Sequence, residues 1–337
     1  MNPVLAEVCR RGIVESVHRG SALVVNYRGD AVLALGDVER NIYPRSSLKF
    51  FQSIPLVESG AADHYELTQP DLSLACASHN AETFHVEAVQ RWLGKLKLTA
   101  EDLECGPALP MHEPTAQTLL KSGDSGSRLH MNCSGKHTGM LTMARYLGEP
   151  TQGYSLYEHA VQQIWLQSVS TLLQENALDY PWERDGCGMP AVCMPMRSLA
   201  IGFARFSLVE PDGIPSSMQN AIQRLTLALR THPEMMAGTQ RCCTAVIRET
   251  SGEVLVKTGA EAVFGGVIPK CGLGFAIKID DGNPRGSEVA LGALLGRLGV
   301  MDEQVALRLK SFFNPVVKNS QGWETGEIRA SKIWQSV

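Results

Sequence analysis

The alternation of strand-like and helix-like hydrophobic patterns along the chain constrains its fold more than any single motif does. Gly12 to Leu35 is rich in Val, Ile and Ala and reads as three strand pieces, with turn signals at His18-Arg19-Gly20 and Tyr27-Arg28-Gly29-Asp30. The far end repeats this texture. Glu253 to Lys257, Ala262 to Ile268 and Gly274 to Asp280 are strand candidates separated by glycine-bearing turns, and a helix from Arg285 to Leu298 follows. In between, apolar residues recur at helical spacing. Phe84, Val86, Val89, Trp92 and Leu93 follow a cap expected at Asn80, and Tyr157, Val161, Ile164 and Trp165 follow one expected at Ser155. A chain reading strands, then helices, then strands predicts an α+β fold: an antiparallel sheet built from both chain ends with flanking helices and a helical middle region. No internal repeat, low-complexity tract or long linker interrupts it. The expected organisation is one domain over residues 1–337, with a sheet region formed by 1–45 plus 250–337 and a mainly helical region over 46–249.

Composition removes several function classes. At 337 residues and 44% hydrophobic, the chain has enough apolar material for one large core or two joined lobes, so a disordered or purely structural role is not expected. A net charge of -4 and the absence of a polybasic run leave no footprint for nucleic acid or an anionic membrane surface. The expected partner is a small molecule. Met1 to Val17 is broken by Glu7, Arg10, Arg11 and Glu15, which is unlike a signal peptide, and the apolar run Val289 to Val300 starts after Glu288 and contains Arg297. The expectation is a soluble cytoplasmic protein. Its nine scattered cysteines are then expected to be free thiols apart from any that bind metal, and Cys242-Cys243 is poorly suited to a disulfide with itself. Gly265-Gly266, Gly272 and Gly274 lack the Lys-Ser/Thr of a phosphate loop and read as strand turns. Trp92, Trp165 and Trp182 read as core or interface residues.

Ser46-Ser47-Leu48-Lys49 contains a Ser-x-x-Lys motif at an expected helix start after Pro44. A separation of three on a helix puts the Ser46 hydroxyl and the Lys49 amine on one face, where a lysine that has lost its proton can act as base. The short motif is also compatible with an ordinary helix start. Ser78-His79-Asn80 and Lys257-Thr258-Gly259 follow it, and the ordered set Ser-x-x-Lys, Ser-x-Asn, Lys-Thr-Gly is similar to that of serine β-lactamases and penicillin-binding proteins. Two Ser/Lys pairs around one pocket suit attack on a carbonyl with proton transfer to a leaving nitrogen. A cap at Ser78 or Asn80 and a hairpin turn at Lys257-Thr258-Gly259 are the structural alternatives. Few residues separate Ser46 from Ser78, where penicillin-recognising enzymes insert a larger helical domain. A cytoplasmic relative that deamidates a small amide, as glutaminases of that superfamily do, fits the spacing better.

A second constellation pairs Met131-Asn132-Cys133-Ser134-Gly135-Lys136-His137 with Asp185-Gly186-Cys187-Gly188-Met189-Pro190. Two thiolates in glycine-bearing loops could converge on a soft or borderline metal such as Zn²⁺; two separate buried cysteines are the other reading, since there is no Cys-x-x-Cys. Cys133-Ser134-Gly135-Lys136-His137, Asp185-Gly186-Cys187-Gly188 and Lys257-Thr258-Gly259-Ala260-Glu261 closely resemble the L-asparaginase II family of the Rhizobium etli type, and the resemblance covers nearly the whole chain.

The resemblance implies a serine β-lactamase/glutaminase-like fold and hydrolysis of L-asparagine to L-aspartate and ammonia. It implies Ser46 with Lys49 and Ser78 with Lys257 as paired catalytic groups, and Cys133, Lys136 and Cys187 around Zn²⁺. It also implies that Arg45, Asn80, His137 and Asp185 contact or orient the substrate, and that the protein is a homodimer. The rival functions are a glutaminase or a β-lactam or D-amino-peptide hydrolase of the same fold, and a non-catalytic amino-acid sensor.

Overall fold

The longest strand shows why both chain ends share one sheet. The computed structural model describes residues 1–209 and 212–336. Its main sheet contains Val4–Arg10 (β1), Ile13–Asn26 (β2), Ala31–Leu35 (β3), Leu255–Gly259 (β4), Val263–Ile268 (β5), Leu273–Ile279 (β6), Val316–Lys318 (β7) and Glu324–Ala330 (β8). The order is β7-β8-β1-β2-β6-β5-β4, with β3 also on β2, and every pairing is antiparallel. The turn expected at His18-Arg19-Gly20 is not a turn. β2 runs straight through it and changes partner there, pairing residues up to Arg19 with β1 and residues from Gly20 onward with β6. Glycine stands at the changeover because a Cβ on Gly20 would lie 2.3 Å from the Lys278 carbonyl oxygen. Close backbone approach, not chain reversal, explains it.

Contacts divide the chain into two units. The first comprises Met1–Leu48, Cys193–Glu210 and Ala245–Val337 and contains the sheet. Its two main helices cover opposite sheet faces, as strand alternation requires. The Met196–Arg205 helix sets Phe203 against Gly265, which pairs with Ala276 and through it with Leu23. The Pro284–Arg297 helix joins Val289 to Ala6, Val8 and Ile328, and Ala6 pairs with His18. Leu23 and His18 are an odd number of residues apart on one strand, so the two helices meet different faces. Burial of these apolar residues away from water is the main drive for this arrangement.

The second unit, Lys49–Val192 with Pro211–Thr244, is mainly helical. Its longer helices are Thr83–Lys95, Ser134–Leu147, Ala160–Leu173 and Ser216–Thr231. Trp92 and Trp165 are fully buried in it, and both indole N–H groups are used: Trp92 donates to Thr142 Oγ1 (3.0 Å) and Trp165 to Gln162 Oε1 (2.7 Å). Trp182 instead is partly exposed and stacks on Tyr157 at 4.3 Å. The expected caps also moved. The first of these helices begins after Glu82 rather than Asn80, because the backbone N–H groups of Ser78 to Asn80 are already bonded to other segments. The Ala160–Leu173 helix is capped by His159, which accepts from Val161 N–H, rather than by Ser155. Among the described residues no helix is long and apolar enough to cross a membrane, and all nine cysteines are free.

Candidate functional site

In the first unit, Pro44 leads into a 3-10 turn, Arg45–Leu48. Arg45 adopts a left-handed backbone (φ 54°), an uncommon conformation for a side-chain-bearing residue. Ser47, not Ser46, closes the turn: its N–H and hydroxyl both donate to the Pro44 carbonyl, at 3.2 and 2.8 Å. The Ser46 side chain is half-buried and has no hydrogen bond among the described residues. β4 carries Lys257-Thr258-Gly259 against this turn, with Gly259 so close that a Cβ there would meet the Pro44 carbonyl oxygen at 2.3 Å. Lys257 is fully buried and donates to the Thr258 carbonyl (2.8 Å). The segment is strand, and the hairpin-turn alternative is excluded.

In the second unit, the backbone of Ser78-His79-Asn80 is held by hydrogen bonds to two other segments. Ser78 N–H donates to Met236 O (2.9 Å), Asn80 N–H to Ala237 O (3.1 Å) and His79 N–H to Asn132 O (3.1 Å). His79 Nδ1 accepts from Ala81 N–H (3.1 Å), so its proton lies on Nε2, 2.8 Å from Ser134 Oγ. Burial first, and the neighbouring His85 second, hold His79 well below the usual imidazole range, so it stays neutral. Asn80 Nδ2 donates to Thr239 O (3.3 Å), while its buried Oδ1 has no partner.

Lys49 joins this segment to the cysteine loop. It is fully buried, and its Nζ donates to the Ala77 carbonyl, to Ser78 Oγ (3.0 Å) and to Cys133 Sγ (3.0 Å). Cys133 immediately precedes the Ser134–Leu147 helix, whose first turn carries Lys136 and His137. Gly135 lets that turn press on the Gln69–Ala75 helix, since a Cβ on it would lie 2.3 Å from Leu74 O. Lys136 Nζ is 3.2 Å from Cys187 Sγ, and Cys133, Lys136 and Cys187 are each at most 4% exposed.

Cys133 and Cys187 face one another across a side-chain hydrogen bond. That bond, with burial second, pushes the Cys133 thiol up to about 12, and the same bond holds Cys187 well below the usual thiol range. Burial alone would lower Lys136, but Cys187, Cys133 and Asp185 together outweigh it and raise the ammonium above its usual value.

His137 and Asp185 border this group. His137 is fully buried; desolvation, then the Lys136 charge, pushes it down to about 3. Its Nδ1 lies 2.6 Å from the Tyr154 hydroxyl, and its Nε2 has no partner. Asp185 is half-buried in the loop closed by Gly188 N–H to Asp185 O (2.8 Å) and Asp185 N–H to Met189 O (2.8 Å).

Residues 6–330 match the L-asparaginase II family. The chain belongs to that family. No curated protein matched by sequence. Among solved structures, one from Bacteroides dorei DSM 17855 that carries a provisional beta-lactamase name matches at 12% identity, covering 77% of this chain and 84% of its own, with a TM-score of 0.39.

For this L-asparaginase II family member, the second unit thus gathers Lys49, Ser78 and Cys133 on one side and Lys136 with Cys187 on the other, while the first unit carries Arg45, Ser46 and Lys257. A lysine amine against a serine hydroxyl can move protons, and two buried sulfurs with a buried amine are donors that fit a borderline metal. Among the described residues no three His, Cys, Asp or Glu side chains gather for a metal. Reading the sequence alone missed Tyr154 and Glu104. No local motif marks either one, because their partners are 17 and 49–51 residues away.

Proposed function

We propose that this family member is an L-asparaginase that hydrolyses L-asparagine to L-aspartate and ammonia through a serine acyl-enzyme. The supporting observation is the fully buried Lys49 amine, 3.0 Å from Ser78 Oγ, in a chain of the L-asparaginase II family. Ser46, one helical turn before Lys49, is the proposed nucleophile. Lys49 takes its proton as Oγ bonds to the side-chain amide carbon; Ser78 and Lys257 deliver a proton to the leaving nitrogen, and the C–N bond breaks to release ammonia. Water then cleaves the ester, giving aspartate and restoring the serine. Arg45, Asn80, His137 and Asp185 are the proposed substrate contacts; Arg45 offers a planar fork for a carboxylate, and Asn80 Oδ1 and His137 Nε2 are buried polar atoms still lacking partners.

Cys133, Cys187 and Lys136 would hold Zn²⁺, with Lys136 bound as the neutral amine. Bound there, the ion would shape and polarise the substrate pocket; a thiolate-rich set neutralises much of its charge and makes it a weak activator of water. The order of the Ser-x-x-Lys, Ser-x-Asn and Lys-Thr-Gly segments supports a serine β-lactamase-like arrangement of the fold, and the family resemblance supports a cytoplasmic homodimer.

The test is ammonia release from L-asparagine, L-glutamine, a D-amino dipeptide and a β-lactam, combined with intact-mass detection of an acyl-enzyme. Asparagine turnover that Ser46→Ala abolishes is expected. Absence of turnover with every substrate would overturn the reading in favour of a sensor, and an acyl adduct on Ser78 would reassign the nucleophile.

A further inference from the structure

A buried histidine side chain with one nitrogen engaged and the other empty has a tautomer that hydrogen-bond counting can decide. The Tyr154 hydroxyl oxygen accepts the Glu104 backbone N–H at 2.9 Å and lies 2.6 Å from His137 Nδ1. If Nδ1 carried the proton, the tyrosine oxygen would accept twice and its own O–H, fully buried, would have no acceptor. If the tyrosine donates to Nδ1, both groups are satisfied there and only one atom is left over: the Nε2–H of His137. The second arrangement strands fewer buried polar groups, each of which carries an uncompensated desolvation cost.

The loop around Tyr154 is built to hold that geometry. The Glu104 carboxylate accepts the N–H groups of Gly153 and Ser155, one on each side of Tyr154, and its backbone N–H is the donor to the hydroxyl. Gln162 Nε2 donates to the Tyr154 carbonyl (2.8 Å) while its Oε1 accepts the Trp165 indole N–H (2.7 Å). The tyrosine is thus fixed at backbone and side chain, and its rotational freedom is spent before any ligand arrives.

We propose that Tyr154 is a positioning residue that fixes His137 as the neutral Nε2–H tautomer, so that His137 presents a hydrogen-bond donor to an oxygen atom of the bound amino acid and is not a metal ligand. The inference rests on the proposed asparagine-hydrolysing site for its substrate. The tautomer itself stands without that reading. His137 in this tautomer holds a substrate oxygen as an uncharged donor, and a protonated Nε2 has no lone pair for a metal.

The test uses the full-length protein labelled with ¹⁵N-histidine. In long-range ¹H–¹⁵N spectra, with the His137 signals assigned by their loss in His137→Asn, the expected pattern has the proton on Nε2. Tyr154→Phe removes only the hydroxyl, so His137 should become a mixture of tautomers and KM for asparagine should rise about tenfold, with a smaller change in kcat. A proton on Nδ1 in the unaltered protein overturns the proposal, as does a Tyr154→Phe variant whose tautomer and KM are both unchanged. If no substrate is turned over, the tautomer measurement still decides the role of Tyr154, which separates failure of this inference from failure of the functional reading.

Discussion

Replacing Lys49 by Met tests the proposed chemistry most directly, because activity and stability should respond on different scales. Methionine fills much of the volume of the buried lysine stem but removes the amine and its three hydrogen bonds, to Ala77 O, Ser78 Oγ and Cys133 Sγ. Removing a buried polar group relieves its desolvation, and buried polar or ionic groups replaced by apolar residues of similar volume are often neutral in stability. Against this, the Ala77 carbonyl loses its lysine donor, at a cost of about 1–3 kcal/mol. The net destabilisation should stay near 1–2 kcal/mol. Loss of a general base costs roughly 10²–10⁴ in rate, about 3–5 kcal/mol of barrier. Ammonia release at saturating asparagine, measured beside urea unfolding, separates the two. A variant that keeps more than about a tenth of wild-type kcat would refute the role of Lys49 as base. So would a loss of rate no larger than its unfolded fraction explains.

Three further outcomes follow from other parts of the molecule. Gly135→Ala should destabilise the second unit by about 1–3 kcal/mol and raise KM, since the new Cβ would lie 2.3 Å from Leu74 O and the turn carrying Lys136 and His137 must shift; a Tm and KM equal to wild type would show that the helices absorb the methyl freely. Burial pushes His85 down to about 4, so the folded state resists a proton that the unfolded chain takes up below about 6.5. Its contribution is present above pH 6.5 and is lost as pH falls toward 4, about 3 kcal/mol at most, and urea titrations of wild type and His85→Gln should converge at low pH. Parallel curves would remove His85 as a cause. Chelating zinc should raise KM more than it lowers kcat, with Cys133→Ser and Cys187→Ser behaving alike; loss of kcat at unchanged KM, restored by added zinc, would assign the metal to the chemical step, and metal-free protein purified without chelator would remove the site.

The fold was legible where hydrophobic period decides structure. Strands at both ends and helices between them follow from periods of 2 and 3.6, and β4, β5, β6 and the Pro284–Arg297 helix lie within two residues of their expected positions. The turn at His18-Arg19-Gly20 failed for a physical reason. Glycine marks either a chain reversal or a close backbone approach, and only the partner across the sheet, Lys278, tells which one applies. The misplaced caps failed similarly: Asn80 has cap chemistry, but its backbone is already paired with Ala237, a segment more than 150 residues away.

The candidate site divides along the same line. Ser78, Cys133, Lys136 and Cys187 sit in short motifs whose residue types announce nucleophile, base or metal ligand, and the sequence alone singles them out. What it does not reveal is who touches whom. Lys49 read as the partner of Ser46 because three residues make one helical turn, yet the hydrogen bonds its amine makes run to the Ala77 carbonyl, Ser78 and Cys133, the last two 29 and 84 residues away. Tyr154 and Glu104 had no signal at all, since a tyrosine in a glycine-bearing loop looks like any half-buried aromatic until its hydroxyl is seen against His137. Motifs record the groups that do chemistry. The groups that orient them need only one well-placed donor or acceptor, which many sequences can supply from many positions, and so their identity appears only when the chain is folded.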